Sequence, residues 1–397
     1  MSKKNFSLLL FAFSLVTYEG TTYAANDMIM PGMLSVVHEF NYPVTFVALS
    51  LSLYLLGNAM LQLFLGPLAE RFGKRRVILV GNASFLLFTA FIALSVNMHM
   101  FLLGRLLQGS GLAFIAMGYA LIHENFNDKN AVRITSIMAN ISVLAPIVGP
   151  IVGGVITSYV SWRYVFVCSL VTGTLSLVGL YQFAPSNKTP LQRLGVFEII
   201  AVYVSILKNP IFALGAVSVG IMVMPSMLWI GISPTLVMHT LHLPMSKYME
   251  YQVLAIGGFM ISTILNQVLA GRVAMMKLVK LGILTSALGL IISAIFYTNI
   301  LVIAIGMGIS CIGLGLQMGT MFRIVGKLEV KSQSMLFSLM AFIQITLMTV
   351  FLELSNDILN WFNYSLTSFV IAVLIFGLLA ITLVTRFVVM NKNRNWQ

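Results

Sequence analysis

The chain has 397 residues, 59% of them hydrophobic and 9% charged, with a mean hydropathy of +0.97. Such a composition excludes a water-soluble globule of this length and describes a polytopic membrane protein. A net charge of +12 does not point to a nucleic-acid partner, because the basic residues are placed by the membrane.

Apolar runs of about 20 residues bounded by charge or turn residues read as spanning helices. Twelve are expected, at 6–37, 44–69, 77–96, 100–122, 134–159, 164–184, 211–238, 248–270, 278–297, 300–324, 334–354 and 364–389. With the N-terminus inside, all but three of the 23 Lys and Arg fall at cytoplasmic ends and loops. Arg163 and Lys247 fall outside and Arg105 within a helix. This positive-inside alternation supports the helix count and places both termini in the cytoplasm. Lys3-Lys4, an apolar run and Thr22-Tyr23-Ala24-Ala25 imitate a cleaved leader, a reading the even helix count opposes. Cys168 and Cys311 fall mid-helix in opposite halves and read as packing residues rather than a disulfide.

The first run carries two carboxylates, Glu19 and Asp27. By helical rise Glu19 lies ~22 Å from Lys4 and Asp27 ~17 Å from His38, too deep to snorkel easily. An acid near a helix centre costs roughly 2.5–3.5 kcal/mol and usually marks a proton or substrate pathway. Tyr23 is four residues from both, so its hydroxyl is placed to bond either, and Asn26 shares the face of Glu19. The alternative is that this polar stripe only glues helix 1 to its neighbours.

The helix 2–3 loop reads Gly66-Pro67-Leu68-Ala69-Glu70-Arg71-Phe72-Gly73-Lys74-Arg75-Arg76. Glu70 is placed to cap another inner-face helix, such as one beginning near Ser332, and so to act as a gate; the bland alternative is a topology-setting basic loop. Helix 4 supplies Arg105 and Gln108, one turn apart on one face. A buried arginine must pair with an acid or satisfy carbonyls. Asp27 is its natural partner by charge, with a bracing role near Gly32 as the alternative. Helix 5 holds Pro146, Gly149, Pro150, Gly153 and Gly154, a pattern of close backbone approach plus a bend that suits a rocking helix, or ordinary packing.

Residues 185–209 form the longest polar interruption and divide the chain into six-helix halves, 1–184 and 210–397, with a short surface helix expected over 194–207. A weak repeat at an offset of 201 accompanies the division: Leu68-Ala69-Glu70-Arg71 and Gly81 answer Leu269-Ala270-Gly271-Arg272 and Gly282. Helix 7 adds Met222, Met224, Met227 and Trp229 near Pro225, an adaptable apolar lining of the kind promiscuous sites use.

These motifs together resemble the major facilitator superfamily over nearly the whole chain. The helix 2–3 loop is similar to its Gly-x-Leu-Ala-Asp-Arg-x-Gly-Arg-Arg signature, and Arg105 to Gly109 to its Arg-x-x-Gln-Gly element. Gly149 to Gly154 is similar to the Gly-Pro-x-x-Gly-Gly element of the drug/proton antiporter branch. Tyr18-Glu19, Tyr23, Asn26-Asp27-Met28-Ile29 and Pro31-Gly32-Met33-Leu34 resemble helix 1 of its multidrug members.

The resemblance implies an all-α fold of twelve transmembrane helices in two pseudo-symmetric six-helix bundles. It also implies that Glu19 and Asp27 take protons and meet drugs, assisted by Tyr23, Asn26, Arg105 and Gln108. Gly66, Glu70, Arg71, Gly73, Arg75, Gly149, Pro150, Gly153 and Gly154 would then serve conformational change. Glu70 departs from the usual aspartate, and Gly271 stands where the second half should carry its acid.

The function expected is proton-coupled export of lipophilic drugs across a bacterial inner membrane by alternating access. Desolvation favours the neutral form of a carboxyl, so proton and substrate can exchange at one site. The rival is a dedicated metabolite or siderophore carrier with a narrow substrate. A small molecule, protons and the bilayer are the expected partners, with no nucleic acid, metal or cofactor, and a monomer is expected. The sequence has no His-Glu-x-x-His, Gly-x-Ser-x-Gly or Walker motif, which argues against an enzyme.

Overall fold

The structure is a computed structural model that describes residues 3–185, 195–269, 272–328 and 333–391. Among these, ten helices are long and apolar enough to cross a membrane, and an eleventh span is a helix pair bent by 50°. The first helix, α1 (Lys3–Asp27), is about 37 Å long by its rise and carries the polar stripe. The chain divides into two compact units, Met1–Tyr42 with Leu53–Ile200, and Pro43–Ser52 with Ala201–Gln397.

The first unit continues with α2 (Met33–Glu39), α3 (Phe46–Phe72) from Leu53 on, α4 (Lys74–Ala93), α5 (Met98–Ala113), α6 (Ile115–Asn125), α7 (Asp128–Tyr159) and α8 (Arg163–Phe183). Helix 1 is not the single run expected over 6–37. It ends at Asp27, passes a 3₁₀ turn at Met30–Gly32 and resumes as α2. Pro31 has no N–H to offer the carbonyl four residues back, which is that of Asp27, so the ladder stops there.

The segment beyond the break is pinned from outside the helix. Glu39 pairs with Arg163 at 2.7 Å and accepts from Trp162 Nε1 at 2.7 Å, while Arg163 Nη2 donates to the Ser95 carbonyl at 2.9 Å. The fourth run also breaks, at Phe114 between α5 and α6, where no proline stands. The Phe114 ring lies where a Cβ on Gly81 would be, 2.1 Å from its Cγ, so the missing side chain on α4 seats the ring.

Helix α7 bends as its prolines suggest, at the junction of Arg133–Ser142 and Leu144–Tyr159. That is within a turn of Ser142, whose carbonyl Pro146 cannot serve.

Helix α9 (Val196–Leu207) crosses the boundary between the units, and the second unit holds α10 (Pro210–Met222), α11 (Met224–Pro234), a π turn (Thr235–Thr240), α12 (Met245–Ile256), α13 (Gly258–Leu269), α14 (Met275–Ile295), α15 (Ile300–Gly326), α16 (Gln333–Trp361) and α17 (Leu366–Met390). Here α9 is the expected surface helix, beginning at Val196 rather than 194. The polar centre of the linker, 186–194, and the loop counterpart at Ala270-Gly271 lie outside the described residues, as does Ser332. The seventh run breaks at Val223, ahead of Pro225.

The internal repeat has a packing counterpart in each unit. A Cβ on Gly57 would stand 1.8 Å from the Leu106 carbonyl oxygen, and one on Gly109 would stand 1.9 Å from that of Tyr54. In the second unit a Cβ on Gly258 would stand 1.9 Å from the Gly308 oxygen, and one on Gly308 would stand 2.3 Å from that of Leu254. Both crossings bring backbones into contact, the arrangement small residues permit in a bilayer.

Candidate functional site

The polar groups of the first unit converge where α1 ends. Asp27 is its last residue and 4% exposed, so its carboxylate stands beside the negative end of the helix dipole. A positive group is needed nearby, and α5 supplies it in Arg105, which is 0% exposed.

The link between them runs through Asn26. Arg105 Nη2 donates to Asn26 Oδ1 at 2.7 Å, and Asn26 Nδ2 donates to Asp27 Oδ1 at 3.1 Å. Asn26 therefore does not serve Glu19, as the shared face suggests; the end of the helix turns it toward α5. Arg105 Nη1 donates to Gln108 Oε1 at 2.9 Å, Gln108 Nε2 to Thr89 Oγ1 at 2.9 Å, and Thr89 Oγ1 to the Phe85 carbonyl at 2.6 Å. The guanidinium also lies 4.5 Å from the centroid of the Tyr54 ring, whose hydroxyl donates to the Thr22 carbonyl at 2.9 Å.

The network thus ties α1, α3, α4 and α5 around one buried cation. A guanidinium fork holds two acceptors at fixed angles, and an ammonium does not. Arg105→Lys is expected to cost about 1–3 kcal/mol, the loss of one charged hydrogen bond, read as a lower midpoint of thermal unfolding in detergent. An unchanged midpoint would mean that the fork does not hold α1 to α5.

Glu19 lies about 12 Å along the helix from Asp27 by its rise and is 2% exposed. Its donor is not Tyr23. Among the described residues no hydrogen bond joins the Tyr23 hydroxyl to either carboxylate, and the ring packs against the apolar core of the unit. Tyr119 of α6 donates to Glu19 Oε1 instead, at 3.1 Å. Glu19 Oε2 is buried with no hydrogen-bond partner among the described residues.

The glycines of α7 close the site. A Cβ on Gly149 would stand 2.7 Å from Asp27 Cβ, and one on Gly153 would stand 1.8 Å from the Met28 carbonyl oxygen. Pro150 and Gly154 are buried beside them, and the Gly154 carbonyl accepts from Ser158.

The expected gating residues are less concentrated. Gly73, at φ 88°, holds the left-handed turn that starts α4 and only glycine adopts freely. Lys74 pairs with Glu124 at the end of α6, and Arg75 Nη2 donates to the Tyr181 carbonyl of α8 at 2.7 Å. Arg71 is exposed and stacks over Phe72. A Cβ on Gly66 would meet nothing within 4 Å, so close packing does not require that glycine. The side chain of Glu70 lies outside the described residues.

Sequence reasoning missed Tyr119, Tyr54 and Thr89. The available signal was a hydroxyl inside an apolar run, which needs a partner when buried; which partner depends on contacts up to 100 positions away.

Comparisons with known proteins agree with this architecture. The model of the Major Facilitator Superfamily matches residues 18–343. The multidrug transporter MdfA of Escherichia coli is 33% identical over 388 residues, covering 96% of this chain and 93% of that protein. The chloramphenicol resistance protein CraA of Acinetobacter baumannii is 34% identical over 324 residues, covering 80% of this chain and 78% of that protein. A crystal structure of a bacterial homolog of the human lysosomal transporter Spinster, inward-facing and unoccupied, aligns with a TM-score of 0.71 over all of both chains at 14% identity, a likeness of fold alone.

Proposed function

The chain belongs to the major facilitator superfamily, and on that premise we propose that it is a proton-coupled exporter of lipophilic drugs across a bacterial inner membrane. Its substrate and its proton compete at Glu19 and Asp27 while the protein alternates its access, with both termini cytoplasmic and a monomer as the working unit. The observation that carries this reading is a first helix broken at a buried carboxylate, which a guanidinium reaches through Asn26, with a second buried carboxylate two turns away. The similarity to proteins named for multidrug transport and chloramphenicol resistance supports the same substrate class.

The exchange follows from electrostatics. A carboxylate away from water is relieved either by a proton or by a ligand that brings charge or donors. Taking up one excludes the other, so a cycle that loads a proton outside and a drug inside is antiport. One charge moving with the potential contributes about 2.3 kcal/mol per 100 mV, enough at ~1.4 kcal/mol per tenfold for a roughly fortyfold drug gradient.

The test is substrate-induced proton release from the purified protein in detergent, across lipophilic cations and neutral drugs. Release by several unrelated compounds is the expected result. Silence across the panel from folded protein would overturn the multidrug reading and leave a carrier of one metabolite or siderophore.

A further inference from the structure

The second unit holds a carboxyl that the reading of α1 leaves unused. Glu353 lies on α16, one turn before Asn356 and Asp357, and faces the first turns of α3, residues 43–52, which belong to this unit. Its Oε2 is buried with no hydrogen-bond partner among the described residues. So is the hydroxyl of Ser52, a residue 2% exposed whose side chain points at the carboxyl. Asn356 does not complete the site. Its Oδ1 accepts from the Tyr364 hydroxyl at 2.8 Å and its Nδ2 donates to the Thr45 carbonyl at 2.9 Å, which leaves Glu353 Oε1 a long contact of 3.5 Å.

No cation answers the carboxyl either, since Glu353 makes no ion pair among the described residues. The titratable groups that face it are Asp357 on its own helix and Tyr364 ahead of α17. Residues 43–52, α10 and α11 carry no ionisable side chain, and Arg323 and Arg386 stand at the far ends of α15 and α17. A carboxylate so placed has given up water without gaining charge or donors in exchange. A proton repairs both faults: it removes the charge and makes Oε2 a donor, with the Ser52 oxygen there to accept.

We propose that Glu353 is a proton-binding site of the second unit, and that its proton holds the first turns of α3 against α16. With the proton gone, the carboxylate regains water only if residues 43–52 draw away from α16. The site goes beyond the reading of α1 and does not depend on it, because Glu19 and Asp27 belong to the other unit.

The experiment is modification of a cysteine placed at Ala48, which is 1% exposed and one turn from Ser52 on the same face of α3. The exposed Cys168 is replaced by serine, and Cys311 is buried. A water-soluble maleimide is applied to the purified full chain in detergent, without drug, from about pH 5 to pH 9, a range that spans the titration of carboxyls in apolar sites. Each rate is divided by that of the same protein unfolded in SDS at the same pH, which removes the titration of the thiol itself. With Glu353 in place, the normalised rate is expected to be low in acid and to climb by up to about tenfold per pH unit, the limit for release of one proton. Glu353→Gln keeps the shape and cannot ionise, so its rate is expected to stay low throughout.

A rate indifferent to pH with Glu353 in place would overturn the proposal. A Glu353→Gln variant that climbs as its parent does would overturn it too, by assigning the response to some other group, Glu19 and Asp27 included. Should Glu353→Gln fail to fold, Asp357→Asn at low salt decides. Removing the neighbouring negative charge favours the ionised form of Glu353, so the climb is expected at lower pH, and a climb left where it was would overturn the assignment.

Discussion

Asp27→Asn is expected to reduce substrate-induced proton release to background and to abolish drug resistance in cells, while the protein still folds. The amide is nearly isosteric and still accepts from Asn26 Nδ2, which meets Asp27 Oδ1 at 3.1 Å. The chain from Arg105 through Gln108 to Thr89 does not pass through the lost oxygen. The change removes the carboxylate's charge and with it the ability to exchange a proton, while leaving these hydrogen bonds in place, and a site without a proton to give can bind but not exchange. Drug binding without release is the signature to look for, read with a pH indicator and a radiolabelled ligand on the same preparation. Normal release from this variant would show that the coupling proton sits elsewhere, with Glu19 as the next candidate.

Gly153→Ala has an effect of another kind. The added methyl would stand 1.8 Å from the Met28 carbonyl oxygen and 2.5 Å from its carbon, with no flexible side chain to yield. Either α7 retreats from the end of α1 or the protein fails to assemble. Overpacking costs typically 1–3 kcal/mol, and with backbone on both sides the upper part of that range is expected. The measurement is the thermal midpoint in detergent together with resistance in cells, both of which should fall sharply. Gly319→Ala is the control, since a Cβ at that helical position would meet nothing within 4 Å and alanine is the better helix former. Equal behaviour of the two variants would show that α7 does not need its contact with α1.

What the sequence discloses follows from how local each signal is. Apolar runs and basic loops depend on the bilayer rather than on distant residues, so the spans were legible from them, and the family from the short motifs at 66–76, 105–109 and 149–154. Pro146 announces a bend because its missing N–H acts four residues away; Pro31 carries the same signal, but the continuous apolar run over 6–37 hides it. The break at Phe114 carries no such sign, since its cause is the absence of a side chain at Gly81 on another helix.

The same distinction separates the site residues. Glu19, Asp27 and Arg105 stand out because a charge in an apolar run is costly wherever it points. The partners of Tyr23 and Asn26 were read from helical spacing, and that reading lapses at the end of α1, where Asn26 swings to Arg105 and Tyr119 supplies the hydroxyl assigned to Tyr23. Nothing in spacing alone ties Tyr119 to Glu19.

The four glycines at the helix crossings bear on how long a resemblance between the two halves can last. Gly57 and Gly109 in the first unit, and Gly258 and Gly308 in the second, each face a carbonyl at a distance no Cβ tolerates. Most positions in a bilayer accept one apolar residue for another, so similarity between two halves of like packing is lost quickly. These positions accept nothing else while the helices cross as they do. Gly57 and Gly258 are separated by 201 positions, the offset of the repeated loop, and Gly109 and Gly308 by 199. An alignment of the halves anchored on these crossings shifts by two positions from the first pair to the second, and would stay traceable after the surrounding residues had diverged.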